Sequence, residues 1–229
     1  MTTRIPSSSS PPPTSVGGAL RAHVGDPSGA GSAGERSEVD AGLSAGHVAR
    51  AQRGEPGALE GLLVAAQPRL LAVCLRFTND VHLARDLCQD ALVRIIRGLP
   101  EFQARSKPST WMIRIAMNVC LTQRRREKLR GRVVAESGRD AGAGGEKASL
   151  EPGPGSRVEG TEERERLAAA LARLAPESRA ILILRDAQGL DYADIAEVLE
   201  VPVGTVKSRI FRARTALREE MERPGGRIV

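Results

Sequence analysis

Residues 189–221 read GLDYADIAEVLEVPVGTVKSRIFRARTALREEM, and the fold follows from how that stretch divides. Asp191 is a suitable N-cap for a helix beginning at Tyr192, and Ile195, Val198 and Leu199 recur on one face at helical spacing. Pro202 cannot continue that helix, because it has no N–H to donate and its ring clashes with the preceding turn. A second helix is expected from about Val203 to Met221. Along it Val206, Ile210, Ala213, Leu217 and Met221 repeat at three- and four-residue steps and make one apolar stripe. Two helices joined by the short Glu200–Pro202 turn form a helix-turn-helix.

The other side of the second helix carries Lys207, Ser208, Phe211, Arg212 and Thr215. Cations and hydroxyls suit base edges and phosphates in a DNA major groove. A basic outer face is more often a plain solvated surface. Phe211, however, gains nothing by pointing into water, and the tight turn fixes two helices at a docking angle. Nucleic-acid binding is therefore the stronger reading of this stretch.

Working outward, helices are expected from Thr161 through Leu174 and from Pro176 to about Ala187, with Gly189 as the stop. Together with the helix-turn-helix they make a small four-helix domain over 161–223, with a short tail at 224–229. Residues 133–160, which include AGAGG and EPGPG, read as a flexible linker. Before it, residues 45–132 are helical in pattern. A short helix spans Ser44–Arg53, a break falls at Gly54–Gly57, and Pro68 ends or restarts the helix that follows. Another helix runs from Val81 to about Leu99, with Leu83, Leu87, Ala91, Ile95 and Leu99 stacked toward a core. Its Asp86, Gln89, Asp90 and Arg94 lie off that stripe, and on the residues alone they read as a solvated face.

The next segment is a loop from Pro100 to Pro108, containing Phe102, Arg105 and Lys107, followed by a helix with Trp111, Ile115 and Val119 on one face. Between Arg94 and Arg132 there are eleven Lys/Arg and two Glu, a net +9 against +6 for the whole chain. Cations beside an aromatic are what unpaired DNA requires, with phosphates held by charge and bases stacking on rings. Trp111 reads equally well as a core residue, and both roles are compatible.

Composition narrows the classes. Aromatic residues are 2% of the 229-residue chain, so its cores are built from aliphatic side chains. The pI of about 9.9 suits a polyanionic partner. Cys74, Cys88 and Cys120 are widely spaced and His23, His47 and His82 are scattered, so no metal site and no cofactor are expected. The cysteines read as small buried thiols. No apolar run looks long enough to span a membrane and no signal peptide is evident, so membrane insertion is not expected and a cytoplasmic location is. Residues 1–44, Ser-, Pro- and Gly-rich, are expected to be disordered. No nucleotide loop or nucleophile–base pair marks an enzyme.

Taken together, ARDLCQDALVRIIRGL, STWMIRIAMN and LARLAPESRAILILRDAQGLDYADIAEVLEVPVGTVKSRIFRARTALRE resemble the extracytoplasmic-function sigma factors of the sigma-70 family. The resemblance covers roughly 45–132 and 161–221. It implies an all-α protein of two small domains, sigma domain 2 and sigma domain 4, the latter bearing the helix-turn-helix. It further implies binding to core RNA polymerase, through the β′ clamp helices and the β flap, and to promoter DNA, with an anti-sigma factor as expected inhibitor. On that basis Asp86, Gln89 and Asp90 would meet polymerase, reversing the solvated-face reading. Phe102, Arg105, Lys107, Trp111 and Asn118 would meet the melted −10 element, and Lys207, Ser208, Phe211 and Arg212 the −35 element. The family pattern is departed from at Lys107–Pro108 and at Thr122. The competing reading is a stand-alone helix-turn-helix regulator that is not a polymerase subunit.

Overall fold

The structure, a computed structural model, describes residues 43–136 and 158–223. The expected disordered extension up to residue 42, most of the expected linker and the tail at 224–229 lie outside the described residues. Every regular element among the described residues is helical. The first block holds α1 (Ala45–Gln52), α2 (Ala58–Thr78), α3 (Val81–Gly98), a 3₁₀ turn at Leu99–Glu101 and α4 (Pro108–Glu136). The second holds α5 (Val158–Arg173), α6 (Pro176–Leu182) continued by a π turn at Ile183–Ala187, α7 (Tyr192–Leu199) and α8 (Val203–Glu222).

Local chemistry sets the ends. Ser44 and Asp80 accept from the third backbone N–H of α1 and α3, His47 and Leu83 respectively. Gly57, at φ +73°, supplies the left-handed residue that opens α2. Asn79, also left-handed, returns its N–H to Leu75 O at 2.8 Å and closes α2.

Three expectations are corrected. Pro68 neither ends nor restarts a helix, because α2 runs through it unbroken. Pro68 is exposed, as is Val64 four residues before it, so the carbonyl left without a donor can turn to solvent. Second, α2 is itself 21 residues long and holds an 18-residue stretch of mean hydropathy 1.5, which is long and apolar enough to cross a membrane. Its only charged residues are Glu60, Arg69 and Arg76, and here Leu62, Ala66, Leu70, Val73, Cys74 and Phe77 are buried against neighbouring helices. Third, α4 continues past Arg132 to Glu136, and α5 begins at Val158 rather than at Thr161. Residues 133–136 contain neither Gly nor Pro, so nothing there stops propagation.

In the first block α2, α3 and α4 pack on one another, and α1 leans on α2. Leu62, Leu70, Phe77, Ile95, Met112, Ile113 and Met117 are fully buried there. Each such aliphatic or aromatic side chain contributes about 1.5–3 kcal/mol relative to exposure. The three cysteines sit in this core as free thiols, as their surroundings in the sequence suggest. Cys120 Sγ lies 3.7 Å from Cys74 Sγ; this contact, then burial, push the Cys74 pKa up. Burial, and then Cys74, push Cys88 up to about 11. Buried, protonated thiols of this kind are unreactive.

The second block is built around α8, which packs on α5, α6 and α7. Leu167, Leu171, Ile181, Leu182, Leu184, Ile195, Val198 and the α8 stripe of Val206, Ile210, Ala213 and Leu217 are buried. Asp186 of the π turn, itself buried, accepts from Arg214 of α8 at 2.5 Å. That pair raises the Arg214 pKa and clamps the angle at which α8 leaves the core.

Candidate nucleic-acid interface

Three surfaces are held up by this scaffold. The first is the outer side of α8. Asp191 caps α7, accepting from Asp194 N at 2.7 Å, and this backbone bond is the main cause that holds its carboxyl below the usual 3.8. Glu200, left-handed at φ +53°, ends α7, and Pro202 opens α8 two residues later. With Val206, Ile210 and Ala213 buried, the opposite side of the helix must point outward. Lys207, Ser208, Phe211 and Arg212 are all exposed there, Phe211 at 72%. Ser208 Oγ donates to Thr205 O at 2.9 Å and Thr215 Oγ1 to Phe211 O at 3.1 Å. Both hydroxyls therefore keep their acceptor lone pairs available at the surface.

The second surface lies where the Phe102–Lys107 loop meets α4. Gln52 of α1 fixes the loop, its Nε2 donating to Leu99 O and Phe102 O, both at 2.8 Å. Ala104 takes φ +53°, a turn conformation that side chains adopt at some cost. Arg105 and Lys107 are exposed on this loop. Phe102 is half-buried and stacks on Trp111, ring centroids 4.7 Å apart at 39°. Trp111 itself is only 8% exposed. Of the two roles open to it, the structure shows the core one, with the indole supporting the loop from beneath. Asn118 lies seven residues further on the same side of α4, about 10 Å along the axis, beyond the cover of the loop, and is exposed.

The third surface is on α3. Asp86 and Gln89 are exposed and Asp90 is half-buried. Arg94 binds Asp90 through Nε and Nη2, both at 3.0 Å. The same face carries Val93 and Ile96, 38% and 40% exposed, between the polar groups. This pair is the apolar part of a face that is otherwise polar.

Gln52, Val93 and Ile96 were not singled out in the sequence. Val93 and Ile96 were findable, since they fall off the Leu83–Leu99 stripe. Gln52 carries no local signal, because its partners are 47 and 50 residues away. Among the described residues no cluster of His, Cys, Asp and Glu could hold a metal ion.

Known protein families match each of the two helical blocks. The family model "Sigma-70 region 2" matches residues 62–130, and "Sigma-70, region 4" matches residues 164–217. The chain is 34% identical over 178 residues to the RNA polymerase sigma-H factor of Pseudomonas aeruginosa, covering 76% of this chain and 92% of that one. It is 30% identical to the ECF RNA polymerase sigma-E factor of Escherichia coli, covering 76% and 92%. Among solved structures, it is similar to the sigma factor RpoE of Bartonella quintana, co-crystallised with the anti-sigma factor NepR. That similarity has a TM-score of 0.58 and 26% identity, over 74% of this chain and 99% of that one. CnrH, solved with the cytosolic domain of CnrY, shares the fold at a TM-score of 0.57 and 22% identity.

Proposed function

Because the chain belongs to the extracytoplasmic-function sigma factors of the sigma-70 family, we propose that its three surfaces divide the work of transcription initiation. The face of α3 carrying Asp86, Gln89, Asp90, Val93 and Ile96 docks on core RNA polymerase. The outer face of α8 reads duplex DNA at the −35 element. The Phe102–Lys107 loop and Asn118 capture the melted −10 strand, with Trp111 holding the loop in place. Residues 45–132 act as domain 2 and 161–223 as domain 4, and the residues between tether them.

The observation that carries this reading is the outward face of α8. Phe211, Lys207 and Arg212 are displayed on a helix whose inner side is locked by Asp186–Arg214. A large apolar ring at 72% exposure between cations fits thymine methyl groups beside phosphates. Melting then follows from differential binding. Unstacked bases held by domain 2 offset part of the unstacking energy, a few kcal/mol per base step. The factor works without catalysis, in the cytoplasm. RpoE of Bartonella quintana was crystallised with an anti-sigma factor. An inhibitor of that class, covering the surfaces of both domains, is the expected regulator here.

Promoter-directed transcription by purified core polymerase tests the proposal. The template would be a genomic fragment pool, with start sites mapped by sequencing. Initiation from a common −35/−10 pair only when the protein is added is the expected result. DNA binding without polymerase binding or initiation would instead identify a stand-alone regulator.

A further inference from the structure

The Phe102–Lys107 loop is tied down at both ends. At its far end Lys107 Nζ donates to Asp194 Oδ2 at 3.0 Å. Just beyond, Thr110 Oγ1 donates to Asp194 Oδ1 at 3.1 Å, where α7 packs across α4. At its near end Phe102 stacks on Trp111. The indole in turn lies against α3 at Gly98, where an added Cβ would stand 3.4 Å from its Cζ2. A side chain at that position would crowd the ring that carries Phe102.

The remaining tie comes from outside the two elements that the loop connects. Gln52 is the last residue of α1, and that end of the helix is braced. Arg50 Nε donates to Glu55 Oε2 at 2.6 Å and Arg53 Nη2 to Glu55 Oε1 at 2.7 Å. The Gln52 amide has two N–H groups to give. One goes to Leu99 O and the other to Phe102 O. Leu99 O also accepts from Phe102 N at 3.2 Å, so three hydrogen bonds fix where the chain leaves the 3₁₀ turn. The buried residue of α1 is Val48, whereas Gln52 is exposed. What Gln52 contributes is therefore its pair of hydrogen bonds and not burial.

Between the tied ends the backbone is bent. Ala104 holds the left-handed φ of +53°, which a residue with a Cβ adopts at a cost. Gln103, Ala104 and Arg105 are all exposed, so no packing over them imposes the bend. It is imposed from the ends. Strain of this kind persists only where the surroundings over-determine it, and it collects in loops that hold ligands. Releasing the Gln52 tie lets Ala104 relax, and the exposed arch then changes shape without disturbing a core.

We propose that Gln52 is a positioning residue for capture of the melted −10 strand. By holding Leu99 O and Phe102 O, it keeps the loop in the one shape that receives an unpaired base. This rests on the sigma-factor reading of the loop. Gln52 acts through the loop and touches no nucleotide itself. Affinity for the unpaired strand then scales with the fraction of molecules whose loop is in that shape.

The test uses the full chain bound to core polymerase. The probe is a single-stranded oligonucleotide spanning the −10 region of a promoter mapped with the parent protein, together with its single-base variants. Gln52→Ala removes both donors, and Gln52→Glu keeps the shape while turning acceptors toward the two carbonyls. Both should weaken probe binding about tenfold, the scale of two lost hydrogen bonds, and flatten the preference among the variants. Gln52→Lys retains N–H donors on a long side chain and should restore most of both. Trp111 is the chain's one Trp, so its emission reports the cover given by Phe102. That emission should move to longer wavelength in the Ala and Glu variants and stay near the parent's in the Lys variant. Binding to a −35 duplex, polymerase affinity and the unfolding temperature should match the parent in all three. Unchanged probe binding in both the Ala and Glu variants would overturn the proposal. So would a lowered unfolding temperature with equal losses on the −35 duplex and the −10 probe, which would make Gln52 a plain structural staple. Failure of the parent to direct initiation by core polymerase would overturn the sigma-factor reading instead.

Discussion

Arg212 and Asn118 are both exposed polar residues on long helices, yet they are expected to fail in different ways. Arg212 projects from the face of α8 beside Phe211, and in the proposed division of work it would meet paired DNA. Arg212→Ala should cost about 1–3 kcal/mol and blur selectivity at one −35 position, as read by binding to a panel of single-base promoter variants. A uniform loss across the panel with a shallower salt dependence would reassign it to a phosphate. In the same proposal Asn118 would meet a base that is reachable only after unstacking. Asn118→Ala should therefore lower open-complex formation more than initial closed binding, and a premelted −10 bubble should rescue it. Permanganate footprinting on duplex and bubble templates separates the two steps, and equal defects in both would remove Asn118 from strand capture.

Helices give each of these residues its direction, and two of them can be tested as units. On α3 the face proposed to meet polymerase lies opposite the Leu87–Ala91–Ile95 core stripe, so Gln89→Ala with Asp90→Ala should leave stability within about 0.5 kcal/mol of the parent. Polymerase affinity should nevertheless fall, as measured by competition against the parent; undiminished affinity would move the docking site elsewhere. On α8 the buried carboxylate of Asp186 holds Arg214. Asp186→Ala strands a half-exposed guanidinium rather than a buried one, so the cost should be nearer about 2 kcal/mol than the 3–5 typical of fully buried pairs. Urea unfolding gives that number directly. Most of these helices were legible in the sequence, because a period of 3.6 and capping residues such as Asp80 and Asp191 act locally. The α8 surface was legible for the same reason: a buried stripe dictates what lies opposite. Pro68 misled because its effect depends on whether the freed carbonyl faces water, which is a tertiary fact. Trp111 was ambiguous until Phe102 was seen to cover it.

At the scale of the whole molecule, what could not be read is how the two blocks meet. Lys107 and Asp194 are 87 positions apart, and Arg179 and Phe77 are 102 apart. No periodicity relates such pairs, and each residue has an adequate local explanation as a loop cation, a helix-start acid or a helix-end aromatic. Each domain has its own core and could be inferred alone. The closure between them depends on a few polar contacts and on apolar surface that either domain could also turn toward another partner. A flexible linker predicts freedom of the two blocks, whereas the structure shows them joined.

The scarcity of aromatic residues gives that closure an optical signature. The chain has one Trp and one Tyr: Trp111 in the first domain and Tyr192 in the second. The Thr110–Asp194 hydrogen bond joins residues one and two positions from them. In the closed molecule, light absorbed by Tyr192 should pass to the indole and emerge as tryptophan emission. As the domains part, tyrosine emission, in the ultraviolet on the short-wavelength side of tryptophan's, should appear and the sensitised tryptophan signal should fall. The unlabelled protein thus carries its own donor and acceptor, one on each domain. Excitation spectra of the parent and of Asp194→Ala should differ in the tyrosine contribution, and identical spectra would mean that the two domains keep their separation.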